Sequence, residues 1–508
     1  MNFENIPAEK FRFVQENEKI HDKKLETKAR SFFQDAMLRF SKNKSSVVAA
    51  WILLLLIIYA IVAPIISPYD VRKDQDPRYK NFPAYIPSIA AKGWGILDGT
   101  TVHGSQNDMA VKYWDGIAKE TGLNPVLGTV GTHEVEVLNR GQWVKRNTYD
   151  LKVNRYYEIG VVYKTYSYEE FQALQDWQNE TGIQVIYPWV EYSSICDIRD
   201  NANLWYVVND KGEAKLDKNG NFVPVYSTRK EIEGAPYNSL RIAGDDGSYI
   251  YSYAVSGAVR VRVCYYNLYQ YENGREPTYL LGTTSLGQDL FAAIGQGARF
   301  SLIFAVCISV INMFIGAVYG AIQGYYGGMV DMIMDRIADI LYDMPSVVVM
   351  TLFQLHLAQK VGPLLSFLFA FVLTGWIGMA ALVRKQFYRF KGQEFVMAAR
   401  TLGASDKRLM FKHIFPNAIG TIITSCALII PGAINSETTF TYLGIVDLEA
   451  IAGTTIGTLL SKGNAAVTTA PHVLLWPSLF IGLLMICFNL FGNGLRDAFN
   501  PSTRGADE

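Results

Sequence analysis

The run Val47-Val-Ala-Ala-Trp-Ile-Leu-Leu-Leu-Leu-Ile-Ile-Tyr-Ala-Ile-Val-Ala-Pro-Ile-Ile66 carries no charged side chain. A helix of about 20 apolar residues crosses the roughly 30 Å hydrocarbon core of a bilayer, so this stretch reads as a membrane span. The long charged segment Met1–Lys44 precedes it, where a secretory signal would have a short basic start and an early cleavage site, so the span is expected to remain as an anchor. Further apolar runs of spanning length lie at about 300–323, 333–357, 362–383, 417–440 and 474–493, making six spans in all. The overall apolar content of 50% is ordinary for a soluble protein. That average hides two kinds of sequence, because residues 68–281 have the regular charges, turn residues and aromatics of a soluble domain.

Basic residues set the orientation, since short cytoplasmic flanks are enriched in Lys and Arg. Lys23, Lys24, Lys28, Arg30, Arg39, Lys42 and Lys44 precede the first span. The loop between the fourth and fifth spans holds Arg384, Lys385, Arg389, Lys391, Arg400, Lys407, Arg408 and Lys412 against only Glu394 and Asp406. Six alternating crossings bring both segments to the cytoplasm, together with the C-terminus, and leave 68–299, 358–361 and 441–473 outside it. The expected organisation is a cytoplasmic segment 1–45, a first span 46–67, an extracytoplasmic insertion 68–281, a membrane core 282–497 containing the loop 384–417, and a tail 498–508. Within residues 29–42, Phe32, Phe33, Ala36, Met37 and Phe40 recur at helical spacing. This pattern predicts an amphipathic helix on the inner leaflet with Arg39 and Lys42 near lipid headgroups, the plainer alternative being a partly ordered tail.

The insertion reads as α+β. Ser167-Tyr-Glu-Glu170 has the form of a capping box opening a helix to about Glu180, with Gly182 ending it. Strands are expected in Gly182–Tyr187, Leu204–Val208, Phe222–Tyr226 and Tyr249–Tyr266. Its many Tyr and Trp residues supply either a docking surface or the core of the domain. Cys196 and Cys264 are candidates for a disulfide if the insertion faces an oxidising space, whereas Cys307, Cys426 and Cys487 lie in apolar runs as small hydrophobes. Only His103 and His133 occur in the insertion, without a nucleophile motif or metal-ligand spacing, so no catalytic, metal or cofactor site is assigned. Zero net charge gives no pointer to nucleic acid.

The functionally informative stretch is Glu394-Phe-Val-Met-Ala-Ala-Arg-Thr-Leu-Gly-Ala-Ser-Asp-Lys-Arg-Leu-Met-Phe-Lys-His-Ile-Phe-Pro-Asn417. Glu394–Leu402 consists of good helix formers and Gly403 suits the left-handed residue that ends a helix. Ser405 is placed to cap a second short helix, which Pro416 is expected to break at the start of the fifth span. The product is a helix-turn-helix held off the membrane. Ala398 and Ala399 allow close approach by another protein, Leu402, Leu409, Met410 and Phe411 supply apolar anchors, and Arg400 a charged contact. A cytosolic connector with no partner is the alternative reading of these residues.

The same stretch resembles the coupling loop of ABC importer permeases, E-A-A-x3-G-x9-I-x-L-P. Met397-Ala398-Ala399, Gly403 and Pro416 fall at those spacings, with Met397 at the Glu position and His413 at the first Ile position. His413-Ile-Phe-Pro-Asn417 is similar to the H-I-L-P-N form of the oligopeptide and dipeptide branch. The likeness extends over 29–67 and 280–504: Leu281–Leu290 resembles L-G-T-D-x-L-G-R-D, and Gly324–Gly328, Asp331 and Arg336–Asp339 with Pro345 match the turn into the third span. Glu437 with Leu443-Gly444 and Phe488–Gly492 with Leu495–Asp497 match the later motifs.

The resemblance implies the C-type permease of an oligopeptide, dipeptide or nickel importer in a bacterial cytoplasmic membrane, with the six-helix type I fold. It further implies a B-type permease partner, two ATPase subunits onto which the loop docks, and an extracytoplasmic solute-binding lipoprotein. No G-x4-G-K-[ST] phosphate loop occurs, so ATP is expected to be used by those partners and no cofactor by this chain, a transport subunit rather than an enzyme. Arg336 with Asp339, one turn apart, are read as either a structural pair or a gate, and Glu437 as either lining the entrance or accepting hydrogen bonds from neighbouring backbone. Nickel or another small solute as cargo, and a self-contained channel or receptor with an external sensing domain, are the competing readings.

Overall fold

The computed structural model describes residues 32–139, 141–189, 202–203, 206–207, 218, 237–238 and 249–499. Helix α1 (Phe32–Lys42) turns at Asn43 into α2 (Lys44–Ile66), where the Asn43 side chain accepts the Ser46 N–H. The amphipathic pattern of α1 is realised on one side: Ala36 and Phe40 are buried, whereas Met37 is exposed. The side chains of Phe32 and Phe33 lie outside the described residues.

Between the first two spans the chain forms α3 (Pro87–Ala90), β1 (Thr100–Gln106), α4 (Asp108–Thr121), β2 (Val126–Asn139), β3 (Gln142–Asn154), β4 (Val161–Tyr166) and α5 (Tyr168–Thr181). It continues through β5 (Ile186–Tyr187), β6 (Tyr206–Val207), β7 (Tyr237–Asn238), β8 (Ser252–Val255), β9 (Ala258–Cys264) and α6 (Tyr265–Asn273). The strands pair antiparallel as β1-β3-β2, as β4-β9-β5 with β8 also on β9, and as β6-β7. The Ser167–Glu170 capping box forms as expected, and α5 ends at left-handed Gly182. The expected long strand at Gly182–Tyr187 shrinks to Ile186–Tyr187, and Tyr249–Tyr266 divides into β8, β9 and the start of α6. The expected strand Phe222–Tyr226 lies outside the described residues.

Nine of the insert's tyrosines are buried among the described residues. Tyr79, Tyr85, Tyr156, Tyr265, Tyr266, Tyr269 and Tyr279 are buried together, with the Tyr79 ring packed against Tyr156, Tyr265 and Tyr269. Beside them Arg262, 0% exposed, holds the Glu120 carboxylate in a two-pronged pair at 2.5 and 2.6 Å and donates to the Ala202 and Pro188 carbonyls. This ties α4 to β9. Cys264 is buried and makes no disulfide among the described residues, and Cys196, the other member of the candidate pair, lies outside them.

The two ends of the insert are stitched to each other where they meet the spans. Tyr85 and Tyr279 exchange both backbone hydrogen bonds at 2.8 Å, the Tyr69 and Tyr279 rings stack at 4.7 Å, and Arg275 donates to the Pro68 carbonyl. Ser67 donates to Asp289 at 2.7 Å and Gln288 to the Val71 carbonyl at 2.7 Å.

The membrane core begins with α7 (Leu290–Tyr326), whose start Asp289 caps by accepting the Phe291 and Ala292 N–H groups. There follow α8 (Gly328–Tyr342), α9 (Ser346–His356), α10 (Ala358–Val361), α11 (Pro363–Gly375), α12 (Ile377–Phe390), α13 (Glu394–Thr401), α14 (Asp406–Arg408), α15 (Phe415–Tyr442), α16 (Glu449–Ala452), α17 (Ile456–Ala465) and α18 (His472–Phe499). Among the described residues five helices are long and apolar enough to cross a membrane, or six if α8 with α9 makes one span. That third span, expected over 333–357, is two helices rather than one. It bends by 76° between α8 and α9, where Pro345 lacks an N–H and disfavours helical geometry at Met344.

Small residues set a close helix contact. Gly316, Gly320 and Gly324 form a stripe on α7 against the α12 backbone, and a Cβ on Gly316 would lie 2.6 Å from the Trp376 carbonyl oxygen. On Gly320 a Cβ would strike the Ala380 carbonyl. Packing of this kind replaces the missing hydrophobic drive between helices in lipid. Gly320→Ala is therefore expected to destabilise the chain by ~1–3 kcal/mol through overpacking. Gly378→Ala, on α12 with open space around it, is expected to leave the thermal midpoint unchanged or slightly raised. Equal midpoints for the two variants in detergent would contradict the close contact.

The contacts also order the ends of the helices. Tyr59, late in α2, donates to the Phe291 carbonyl at the start of α7, while Ser46 at the start of α2 donates to the Leu490 carbonyl near the end of α18. So α1, the start of α2, the end of α7 and the end of α18 share one side. The insert stands on the other, separated by α7, which at 1.5 Å per residue is about 55 Å long.

Candidate coupling site before the fifth span

Helix α13 ends in a Schellman motif. Gly403, at φ +84°, donates its N–H to the Arg400 carbonyl, and Ala404 donates to the Ala399 carbonyl. The expected first helix and its glycine stop are present. The expected second helix is altered in two respects. Ser405 makes no side-chain cap, its carbonyl instead receiving the Leu409 N–H. Nor does Pro416 break the chain: α14 passes through a π-turn, Leu409–Ile414, straight into α15 with Pro416 in the first turn. The wider turn moves the Phe415 N–H onto the Met410 carbonyl, and so accommodates the N–H that Pro416 lacks.

The apolar residues of the loop divide into two sets. Val396, Leu409, Met410 and Ile414 are buried against α7 and α12, so Leu409 and Met410 mount the loop rather than projecting from it as expected. Leu402 is 88% exposed, Met397 59% and Phe411 44%, and Ala398 is exposed beside them, with Ala399 half-buried. Arg400 reaches inward: its guanidinium donates to the Tyr325 hydroxyl at 3.3 Å, and Tyr325 donates to Asp406 at 2.5 Å. The loop is thereby clamped to the end of α7.

Sequence reading treated Arg384 as an orientation signal only. In the structure it forks between two carboxylates on α8, 2.6 Å from Asp331 and 2.8 Å from Asp335, with Tyr388 also donating to Asp331 at 2.6 Å and Gln323 to Asp335 at 3.1 Å. Lys391 donates to the Gly324 carbonyl at 3.0 Å. These bonds join α12, which leads into the loop, to α7 and the bent helix. The signal available in sequence was the pair Asp331 and Asp335, one turn apart on a helix. Arg384→Gln is expected to leave the two carboxylates facing each other without a cation and to lower transport about tenfold or more at unchanged membrane insertion, with Arg384→Lys intermediate. Transport rates in vesicles check this; a Gln variant at full rate would remove the fork from the mechanism.

The remaining predicted residues sit apart from the loop. Arg336 and Asp339 form an exposed pair at 3.0 Å on α8. Glu437 is fully buried where α15 meets α7, accepting the Ser301 hydroxyl at 2.6 Å, with the Thr438 and Thr441 hydroxyls at 3.5 Å. Its hydrogen-bond partners are side chains rather than backbone.

The described residues thus present a basic, clamped loop with an exposed apolar tip at the end of a bundle of apolar helices. Residues 315–505 match the family described as "Binding-protein-dependent transport system inner membrane component", and residues 31–84 match the "N-terminal TM domain of oligopeptide transport permease C". The chain is 40% identical to the oligopeptide transport system permease protein OppC of Bacillus subtilis (strain 168) over 47% of its own length and 76% of that protein. It is 36% identical to the dipeptide transport system permease protein DppC of the same strain, over 44% and 68%. Identity to the oligopeptide transport system permease protein OppC of Haemophilus influenzae is 35%, over 45% and 72%. Among solved structures, a chain of the inward-facing MetNI methionine ABC transporter aligns at a TM-score of 0.31 and 13% identity, covering 41% of this chain and 95% of that one, a likeness too slight to bear on the fold. The chain belongs to the binding-protein-dependent transport permeases, in the C-type oligopeptide and dipeptide branch of ABC importers.

Proposed function

We propose that the chain is the C-type subunit of an ATP-driven peptide importer and forms the translocation path with a second, B-type permease in the six-span type I arrangement. The observation that carries this reading is the exposed tip of Met397, Leu402 and Phe411 on a loop fixed to α7 by Arg400, Tyr325 and Asp406. Two ATPase subunits would take that tip in a groove, and their ATP-driven closure would push the loop and switch the path between inward- and outward-facing states. ATP chemistry stays on those subunits. The basic flanks of α2 and of the loop favour a cytoplasmic location for that side, which puts the insert outside, where a solute-binding lipoprotein would deliver cargo. Peptide as cargo is supported by the names of the relatives.

Purification of the assembled transporter tests the reading. Two P-loop ATPases are expected to co-isolate with the chain and to be lost on Leu402→Asp, which places a charge in the apolar contact while leaving the fold untouched. The solute-binding protein isolated with the complex is expected to retain peptide. Transport by the chain alone would overturn the importer assignment, and a receptor retaining only a metal or sugar would overturn the cargo.

A further inference from the structure

Two ridges of side chains run beside each other along the outer face of the bundle. On α2 Lys44, Val48 and Ile52 recur at four-residue spacing, and on α18 Leu483, Ile486 and Leu490 do so at three and four. Between the ridges the floor is made of the small buried residues Ala49 and Cys487. The result is a trough of about 420 Å³ lined by apolar side chains, with Lys44 and Ser45 at one end. Eight residues of helix, about 12 Å, separate Lys44 from Ile52.

Both walls belong to helices with the length and apolarity of membrane spans, so hydrocarbon is the medium that meets the trough. Its mouth is cationic. Lys44 makes no ion pair among the described residues, and Lys42 lies two residues before it in the last turn of α1. Helix α1 is fixed there by the Phe40 ring, edge-on to Phe491 at 5.6 Å, and the start of α2 by the Ser46 hydroxyl on the Leu490 carbonyl at 3.0 Å. A hydrocarbon slot with the exposed Lys44 ammonium at its end fits an acyl chain joined to an anionic phosphate. We propose that the trough between α2 and α18 binds an anionic phospholipid, with one acyl chain along Val48, Ile52, Leu483 and Ile486 and its phosphate at Lys44. Only the membrane placement of α2 and α18 is needed for this, not the nature of the cargo.

The full-length chain in detergent, titrated separately with dioleoyl phosphatidylglycerol and dioleoyl phosphatidylcholine and read by native mass spectrometry, tests the site. One phosphatidylglycerol is expected to bind about fivefold more tightly than phosphatidylcholine, the preference one lysine at a lipid headgroup supplies. Lys44→Gln is expected to remove the preference. Val48→Trp, at a side chain already 57% exposed, is expected to fill the trough and weaken both lipids while the thermal midpoint stays unchanged. Equal binding of the two lipids by the unaltered chain, or a preference that survives Lys44→Gln, would overturn the proposal. Binding unaffected by Val48→Trp, or displaced by millimolar inorganic phosphate, would reduce the site to an anion contact and overturn the acyl slot.

Discussion

Replacing Gly403 with valine is expected to abolish uptake, by about a hundredfold or more, while the chain still inserts and its spans still pack. The reason is conformational. A Cβ at this position would meet no atom within 4 Å, yet the residue sits at φ +84°, where a β-branched side chain is at its most strained and the cost is ~3 kcal/mol. That is about two orders of magnitude in the population of the native turn. Relief of the strain would undo the paired bonds from Gly403 and Ala404 to the end of α13 and rotate Leu402 and Met397 away from the surface they present. Gly403→Asn, which tolerates the left-handed region, should retain a substantial fraction of the activity. Uptake measured in vesicles containing the partner subunits, with the melting of the isolated chain as control, checks both variants. Wild-type uptake by the valine variant would show that the turn is not what aims the tip.

Arg262→Ala is expected to have the largest effect on the insert. Glu120 would lose the two guanidinium bonds to its buried carboxylate, and the Pro188 and Ala202 carbonyls would lose a donor. Breaking such a pair from one side costs ~3–5 kcal/mol, which is a large part of the stability of a domain. Limited proteolysis should then cut between residues 100 and 273 while the membrane helices remain protected. Arg336→Ala breaks a pair that is exposed on both sides and is expected to change neither proteolysis nor melting. An Arg262→Ala insert as resistant as the original would mean that packing of the tyrosines alone holds α4 to β9.

The spans were legible because lipid imposes long uncharged runs, and Pro345 marked the place of the bend, though not its angle. The glycine stripe at 316, 320 and 324 was also visible at helical spacing. What it touches was not, since close contact depends on α12 offering backbone at Trp376 and Ala380. The fork at Arg384 escaped because a basic residue beside a span already had an explanation as an orientation signal. In the coupling loop the helix and its glycine were readable from propensity, whereas the burial of Leu409 and Met410 follows from the π-turn, which has no simple sequence signature. The hairpin β2–β3 was missed for a different reason. Beyond the reach of β1 both of its faces are largely exposed, and the apolar–polar alternation it does carry, Glu134-Val-Glu-Val137 and Asp150-Leu-Lys-Val153, covers only part of each strand. Gly141, at φ +82° between the paired residues Asn139 and Gln142, was a further signal.

The paired backbone bonds between Tyr85 and Tyr279 have a bearing on how such a chain arises. Residues that exchange both hydrogen bonds sit about 5.5 Å apart at their Cα atoms, so the membrane helices meet the whole excursion as though it were a tight hairpin. Growth or loss of sequence beyond that clasp leaves the geometry of α2 and α7 untouched, the condition under which domain insertion is tolerated. The permease is in this sense a socket. A chain shortened by joining residue 85 to residue 279 through a brief turn would keep the rest of the clasp, from the Ser67–Asp289 bond to the Tyr69–Tyr279 stack, and could accept a different module in the same place.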